Sequence, residues 1–304
     1  MGKSTAVKRD IWFRSAKEEG YRARSAYKLL QLAEQFQLWD GVERCVDLCA
    51  APGSWSQVLS QKLKADEPAV DGSAKVVAVD LQPMAPIPGV IEIEGDITKT
   101  STAEQIISHF KGRRADLVVC DGAPDVTGLH DLDEFVQAQL LLAALNITLH
   151  VLRPGGNFVA KIFRGRDVTL LYDQLRCFFE TVTCAKPRSS RNSSMEAFVV
   201  CEGFREGFSP DLTKPLLDFS YTTAATPATQ SGDVNDMAGA MRFIAPFVAC
   251  GDLSGFDSET HYPMTDKPIP TAPHQGPTAP AYAEFMQLRA EKRLQNLSLD
   301  GERH

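Results

Sequence analysis

The sequence predicts an α/β protein with a doubly wound, mostly parallel sheet of about seven strands and helices on both faces. Three observations carry that expectation. Short apolar runs alternate with helix-period segments over residues 42–165, which is how βαβ units read. The first run leads into a turn of small residues, Cys49-Ala50-Ala51-Pro52-Gly53-Ser54, where a ligand can approach the backbone closely. Acidic residues sit at or near the ends of successive runs, which sets carboxylates along the edge where such sheets bind ligands.

In chain order, residues 1–40 read as a basic helical part, and residues 1–28 alone carry eight basic against three acidic residues. Trp12, Phe13, Tyr21 and Tyr27 are interleaved with these cations. They read as core contacts of a two-helix hairpin, with stacking on unpaired bases as the alternative. Strands are expected at Val46 to Leu48, Val76 to Leu81, Leu117 to Cys120 and Phe158 to Ile162, with a weaker one at Val90 to Ile93. Ahead of Phe158, residues Phe135, Ala138, Leu142, Leu145, Leu149 and Leu152 recur at helical spacing until Pro154-Gly155-Gly156 breaks the helix. Val182 to Ala185 and Ala197 to Cys201 complete the strands, separated by the polar turn Pro187 to Ser194. Residues 1–205 thus form one folded unit.

The composition changes near residue 205. Ten of the 18 prolines lie in residues 206–304, with seven basic and thirteen acidic residues, so this stretch reads as an acidic, Pro-rich tail that is mostly without a core. Residues 241–253, MRFIAPFVACGDL, are too apolar for a solvated linker. That segment is expected to dock, either on a partner or back on residues 1–205. Ala281 to Leu297 has helix-forming composition.

With 43% hydrophobic and 23% charged residues the 304-residue chain reads as globular. It has no run of 18 apolar residues, and its start, MGKSTAVKRD, has no apolar segment. No membrane span and no secretory signal are expected, and a cytoplasmic location is. The seven cysteines form no C-x-x-C pair and are expected to be mostly reduced core residues rather than zinc ligands or disulfides. Net charge is −7, yet residues 1–28 carry +5 and residues 161–191 carry +4. An acidic protein with two basic stretches points to a localised polyanion-binding surface.

The chemistry concentrates at strand ends. Gly53 is the only glycine of the first turn, so the dinucleotide fingerprint is absent, and Pro52 removes a backbone N–H that a pyrophosphate would need. A cofactor without phosphates fits better. Asp80, ending the second strand, is placed to accept both hydroxyls of a ribose. Asp47, Asp80, Asp96 and Asp121 fall along one edge; a divalent metal is the weaker alternative for them, and no metal is expected.

The run DLCAAPGSW, followed by VDL, GDI, CDGAP and the lysine of FVAKIF, resembles the FtsJ-type ribose 2′-O-methyltransferases, from about residue 8 to residue 204 and in family order. The resemblance implies a Rossmann-like methyltransferase fold and S-adenosylmethionine as cofactor. It places a catalytic tetrad on Lys28 in RARSAYKL, Asp121 in CDGAP, Lys161 in VAKIF and Glu196 in SSMEAF, and cofactor contacts on Gly53, Trp55, Asp80, Asp96 and Asp121. Lys161 is the expected general base, with Lys28 steering the hydroxyl and its adjacent phosphate. The stretches DGAPDVTGLHD, FRGRDVTLLY and AKPRSSRNSS look most like the eukaryotic cytoplasmic branch that modifies tRNA anticodon loops at positions 32 and 34. That branch implies a helper subunit, of WD-repeat or helical-repeat type, that presents the tRNA. A ribosomal RNA methyltransferase is the alternative within the class, and an inactive RNA-binding scaffold the alternative outside it. Arg22, Arg24, Arg164, Arg166, Arg188 and Arg191 flank the tetrad in sequence and are the expected phosphate contacts.

Overall fold

Asp10 opens the first helix by accepting the Trp12 amide on its side chain at 3.0 Å, the usual N-cap arrangement. The computed structural model describes residues 10–69, 71–124, 129–165, 168–205, 245–260 and 262. Helix α1 (Ile11–Glu18) is followed by α2 (Ala26–Phe36), which stops where Gln37 turns left-handed. Trp12 and Tyr21 pack on Tyr27 with ring centroids 5.0 and 5.9 Å apart. These aromatics close a helical hairpin, as the sequence favoured.

The rest alternates as expected: β1 (Cys45–Leu48), α3 (Ser54–Leu63), β2 (Val76–Asp80), β3 (Val90–Glu94), α4 (Thr100–His109), β4 (Ala115–Cys120), α5 (His130–Val151), β5 (Leu152–Phe163), α6 (Val168–Arg176), β6 (Phe179–Pro187) and β7 (Glu196–Phe204). A further strand, β8 (Phe247–Cys250), comes from beyond residue 205. The sheet order is β3-β2-β1-β4-β5-β7-β6-β8. β7 runs antiparallel to β5 and β6, and every other pair is parallel. The central strands β1 and β4 are buried throughout, as continuous apolar runs in a covered sheet should be. One face packs α4, α5 and α6 around Phe110, Leu145, Phe158 and Phe179; the other packs α2 and α3 around Leu29, Leu32, Trp55 and Phe198. All seven cysteines are free thiols, five of them buried.

Three expectations need correcting. The sheet has eight strands among the described residues rather than seven, because β8 pairs with β6 from Cys184↔Phe247 to Pro187↔Cys250. Residues 247–250 of the apolar segment therefore dock on this chain, and the folded unit does not end at residue 205; residues 241–244, with Phe243 and Ile244, lie outside the described residues. Leu152 belongs to β5 rather than to the helix before it, and Pro154-Gly155-Gly156 lies inside that strand, where pairing with β4 shifts register between Ala115 and Leu117. Pro154 has no N–H to give a helix, and the irregular pairing takes up the extra residues. Helix α5 is long and apolar enough by length and composition to cross a membrane, but 61% of its apolar window is buried inside the molecule.

Candidate active site

Two serines at helix starts fix where the first lysine enters. Ser25 stands at the N-cap position of α2 without a side-chain capping bond; its hydroxyl lies 2.6 Å from that of Ser54, the first residue of α3, while the Trp55 indole donates to the Ser25 carbonyl at 2.8 Å. Lys28, in the first turn of α2, is thereby held against the sheet. β5 lies between β4 and β7, with Ala160 opposite Cys120 and Phe163 opposite Glu196. This brings Asp121, Lys161 and Glu196 to neighbouring strand ends. Lys28 Nζ lies 2.7 Å from Glu196 Oε2 and 3.8 Å from Asp121 Oδ1; Lys161 Nζ lies 2.8 Å from Asp121 Oδ1 and 3.8 Å from Glu196 Oε2. The four groups form a closed square of alternating charge.

Burial shapes the square's electrostatics. It opposes the Lys161 ammonium, yet Asp121 and Glu196 outweigh it, and the lysine's pKa is raised above the ordinary value. Burial likewise works against the Glu196 carboxylate, and Lys28, Lys161 and the Ser190 hydroxyl more than reverse this, holding it well below the usual range. Lys161 also donates to the Asp121 carbonyl at 2.7 Å. Gln137, buried on α5, donates to the carbonyls of Gly122 and Lys161 at 3.2 and 3.1 Å, tying the ends of β4 and β5 together. No sequence signal distinguished Gln137.

Beside the square, the turn after β1 has its amides committed: Ala51 N–H donates to Asp80 Oδ2 at 2.8 Å and Gly53 N–H to the Ala50 carbonyl at 2.7 Å. Pro52 between them has no N–H to offer a pyrophosphate. Close packing there also demands small residues. A Cβ on Gly53, at φ +102°, would meet the Arg22 guanidinium at 2.7 Å, and one on Gly122 would meet Cys49 Cβ at 2.9 Å. Asp80 keeps lone pairs beyond the amides of Ala51 and Gln82, and Asp96 uses one oxygen for Thr98. Behind them Asp47 accepts from Ser56, and its pKa is pushed up to about 7, chiefly by burial and further by Asp121 and Asp80. An acidic, phosphate-averse edge of this kind suits a cationic nucleoside cofactor. Trp55, 2% exposed, packs its indole on Phe198 and donates to the Ser25 carbonyl, joining α3 to α2 and the sheet.

The model of the FtsJ-like methyltransferase family matches residues 21–204. The chain belongs to the FtsJ-like methyltransferases. It is 61% identical over 300 residues to a human tRNA (cytidine(32)/guanosine(34)-2′-O)-methyltransferase, covering 97% of this chain and 87% of that protein. The enzyme of the same name from Schizosaccharomyces pombe is 55% identical, covering 97% and 100%. A solved structure assigned as a ribosomal RNA methyltransferase of Plasmodium falciparum superposes with a TM-score of 0.54 at 26% identity, covering 60% of this chain and 98% of that one. The family's cofactor is S-adenosylmethionine, which the acidic edge fits.

The arginines expected to contact RNA divide. Arg22 spends its guanidinium on the carbonyls of Pro52, Ala85 and Pro86 at 2.7–3.0 Å. Arg24 is paired with Asp10 and donates to the Ser189 carbonyl; burial, with Arg191 adding, lowers its pKa to about 10. Arg188 faces Asp257 at 3.5 Å. All three brace the fold through partners far along the chain, up to 165 residues away for Arg24. Arg164 and Arg191 are exposed, Arg164 lying over the Phe247 ring at 4.7 Å. Arg166 lies outside the described residues.

Proposed function

We propose that this chain transfers the methyl group of S-adenosylmethionine to ribose 2′-hydroxyls of the tRNA anticodon loop, at positions 32 and 34. The square formed by Lys28, Glu196, Lys161 and Asp121 carries this reading, in a chain whose relatives of 61% and 55% identity bear that activity in their names. When bound, the cofactor supplies a methyl group on a positively charged sulfur, which leaves as a neutral thioether. The protein's task is to align the ribose oxygen and take its proton. Alignment can supply on the order of 7 kcal/mol or more of barrier reduction. Lys161 Nζ is the proton acceptor, worth roughly 10²- to 10⁴-fold. Because Asp121 and Glu196 favour its ammonium, only the neutral fraction can act, and that fraction grows with pH. Lys28, braced by Glu196, steers the hydroxyl and the adjacent phosphate as a cation.

A helper protein that presents the tRNA, and a cytoplasmic location, belong to the same reading; the branch-like stretches DGAPDVTGLHD and FRGRDVTLLY support both. The deciding experiment maps 2′-O-methylation across total tRNA and ribosomal RNA with the chain present and removed. Loss at tRNA positions 32 and 34 supports the proposal. Loss confined to ribosomal RNA would move the substrate, and unchanged maps together with RNA binding would make the chain a scaffold.

A further inference from the structure

Glu196 has a second, less obvious hold. While Lys28 takes Oε2, the hydroxyl of Ser190 donates to Oε1 at 2.6 Å, the short distance of a hydrogen bond to a charged acceptor. An ammonium is a point charge that leaves a carboxylate free to turn; a second donor on the other oxygen fixes its plane. Ser190 is 1% exposed but lies in the loop between β6 and β7, so neither helix nor strand holds it. Within the loop its amide donates to the Pro187 carbonyl at 2.9 Å, and further restraints come from the tail. Ser258 Oγ donates to the Ser190 carbonyl at 3.1 Å, Asp257 Oδ2 receives Asn192 at 3.2 Å and faces Arg188 at 3.5 Å, and Glu259 accepts both the amide and the hydroxyl of Ser193. From β8, the Cys250 carbonyl accepts the Arg188 amide at 2.8 Å.

We propose that Ser190 is a positioning residue of the methyl-transfer site and that residues 250–260 form a strap that holds it there. The loop from Arg188 to Ser194 is gripped by the strap on one side. On the other, Gln31 receives the Ser189 amide and hydroxyl, both at 2.9 Å. Ser190 is where this clamp meets the Glu196 carboxylate, while the Ser194 hydroxyl accepts the Glu196 amide at 3.1 Å. The strap thereby makes part of the tail a component of the catalytic apparatus, acting through Glu196 on Lys28.

This proposal rests on the tetrad reading, and the test separates the two. In the full chain, assayed with its tRNA substrate and any helper it needs, Ser190→Ala should lower kcat about tenfold or more, the scale for losing a hydrogen bond to a charged group. KM values for cofactor and tRNA should stay within about twofold, since only the transition-state geometry is touched. Ser190→Thr, which keeps the hydroxyl, should restore most of the rate. The triple variant Asp257→Asn, Ser258→Ala, Glu259→Gln should lower kcat as well, and adding Ser190→Ala to it should produce less than the product of the two effects. Multiplicative effects would overturn the strap's role, and an unchanged kcat in Ser190→Ala would overturn the proposal. Glu196→Gln serves as the reference: inactive beside an unaffected Ser190→Ala, it leaves the tetrad standing and removes only this proposal, whereas full activity removes both.

Discussion

Lys161 shows how a single side chain inherits its chemistry from three strands. Its ammonium is favoured by Asp121 at 2.8 Å and Glu196 at 3.8 Å, so a base role requires that it lose a proton its neighbours help it keep. The sign is definite: a raised pKa means that kcat/KM climbs with pH through the neutral and alkaline range. A plateau reached by about pH 7.5 would exclude Lys161 as the titrating base. Lys161→Ala should lower methyl transfer by roughly 10²-fold or more while cofactor affinity stays near wild type; single-turnover rates and calorimetry check the two halves. Asp80→Ala should do the reverse. Losing hydrogen bonds from its carboxylate should weaken cofactor binding by about 1.5 to 3 kcal/mol, and an unchanged dissociation constant would remove it from the site.

At the scale of elements, the informative piece is β8. Four residues from beyond residue 205 complete the sheet edge beside β6, and Cys250 at the end of that strand is fully buried against Val200, Phe198 and their neighbours. Its thiol is pushed up to about 12, mainly by burial. Introducing a charge there tests the docking directly. Cys250→Asp should lower the melting temperature of the isolated chain by about 5 °C or more, the scale of an unpaired buried carboxylate in a domain of this size. An unchanged melting temperature would place the strand elsewhere in solution. Helix α5 has a comparable structural role on the opposite face, since Gln137 ties the ends of β4 and β5 from inside it.

For the molecule as a whole, charge is divided between bracing and display. The amino-terminal cations Arg22 and Arg24 are consumed by the fold, and Arg188 by the strap. Arg164 and Arg191 remain exposed near the strand ends that carry Lys161 and Glu196. Changing both to Ala should weaken tRNA binding and reduce the log-log salt slope by about 0.7 to 0.9 for each phosphate that is no longer neutralised. Changing Arg22 instead should lower stability and cofactor binding with little effect on that slope. Titrations at several salt concentrations distinguish the two outcomes, and an equal effect of both changes would mean that the braces are also displayed.

The succession of β1 to β7, the small-residue turn at Gly53, and the aspartates at Asp80, Asp96 and Asp121 could be read from residues alone, because these are local signals: apolar runs a few residues long, and the residues at their ends. Lys28, Asp121, Lys161 and Glu196 were legible as short motifs for the same reason, although only their resemblance to a family gave them roles. Everything that depends on a partner far away in the chain comes from the fold. An arginine in a basic stretch reads the same whether it meets phosphate or a carbonyl 165 residues distant, as Arg24 does. Trp55 reads as part of a cofactor motif, and only the fold sets its indole against Phe198. Ser190 is one serine among several in a polar turn until Glu196 and Ser258 close on it from opposite sides. The pairing of β8 with β6 is backbone hydrogen bonding between segments more than 60 residues apart, and backbone groups are alike at every position, so no side-chain pattern announces which edge a strand will join.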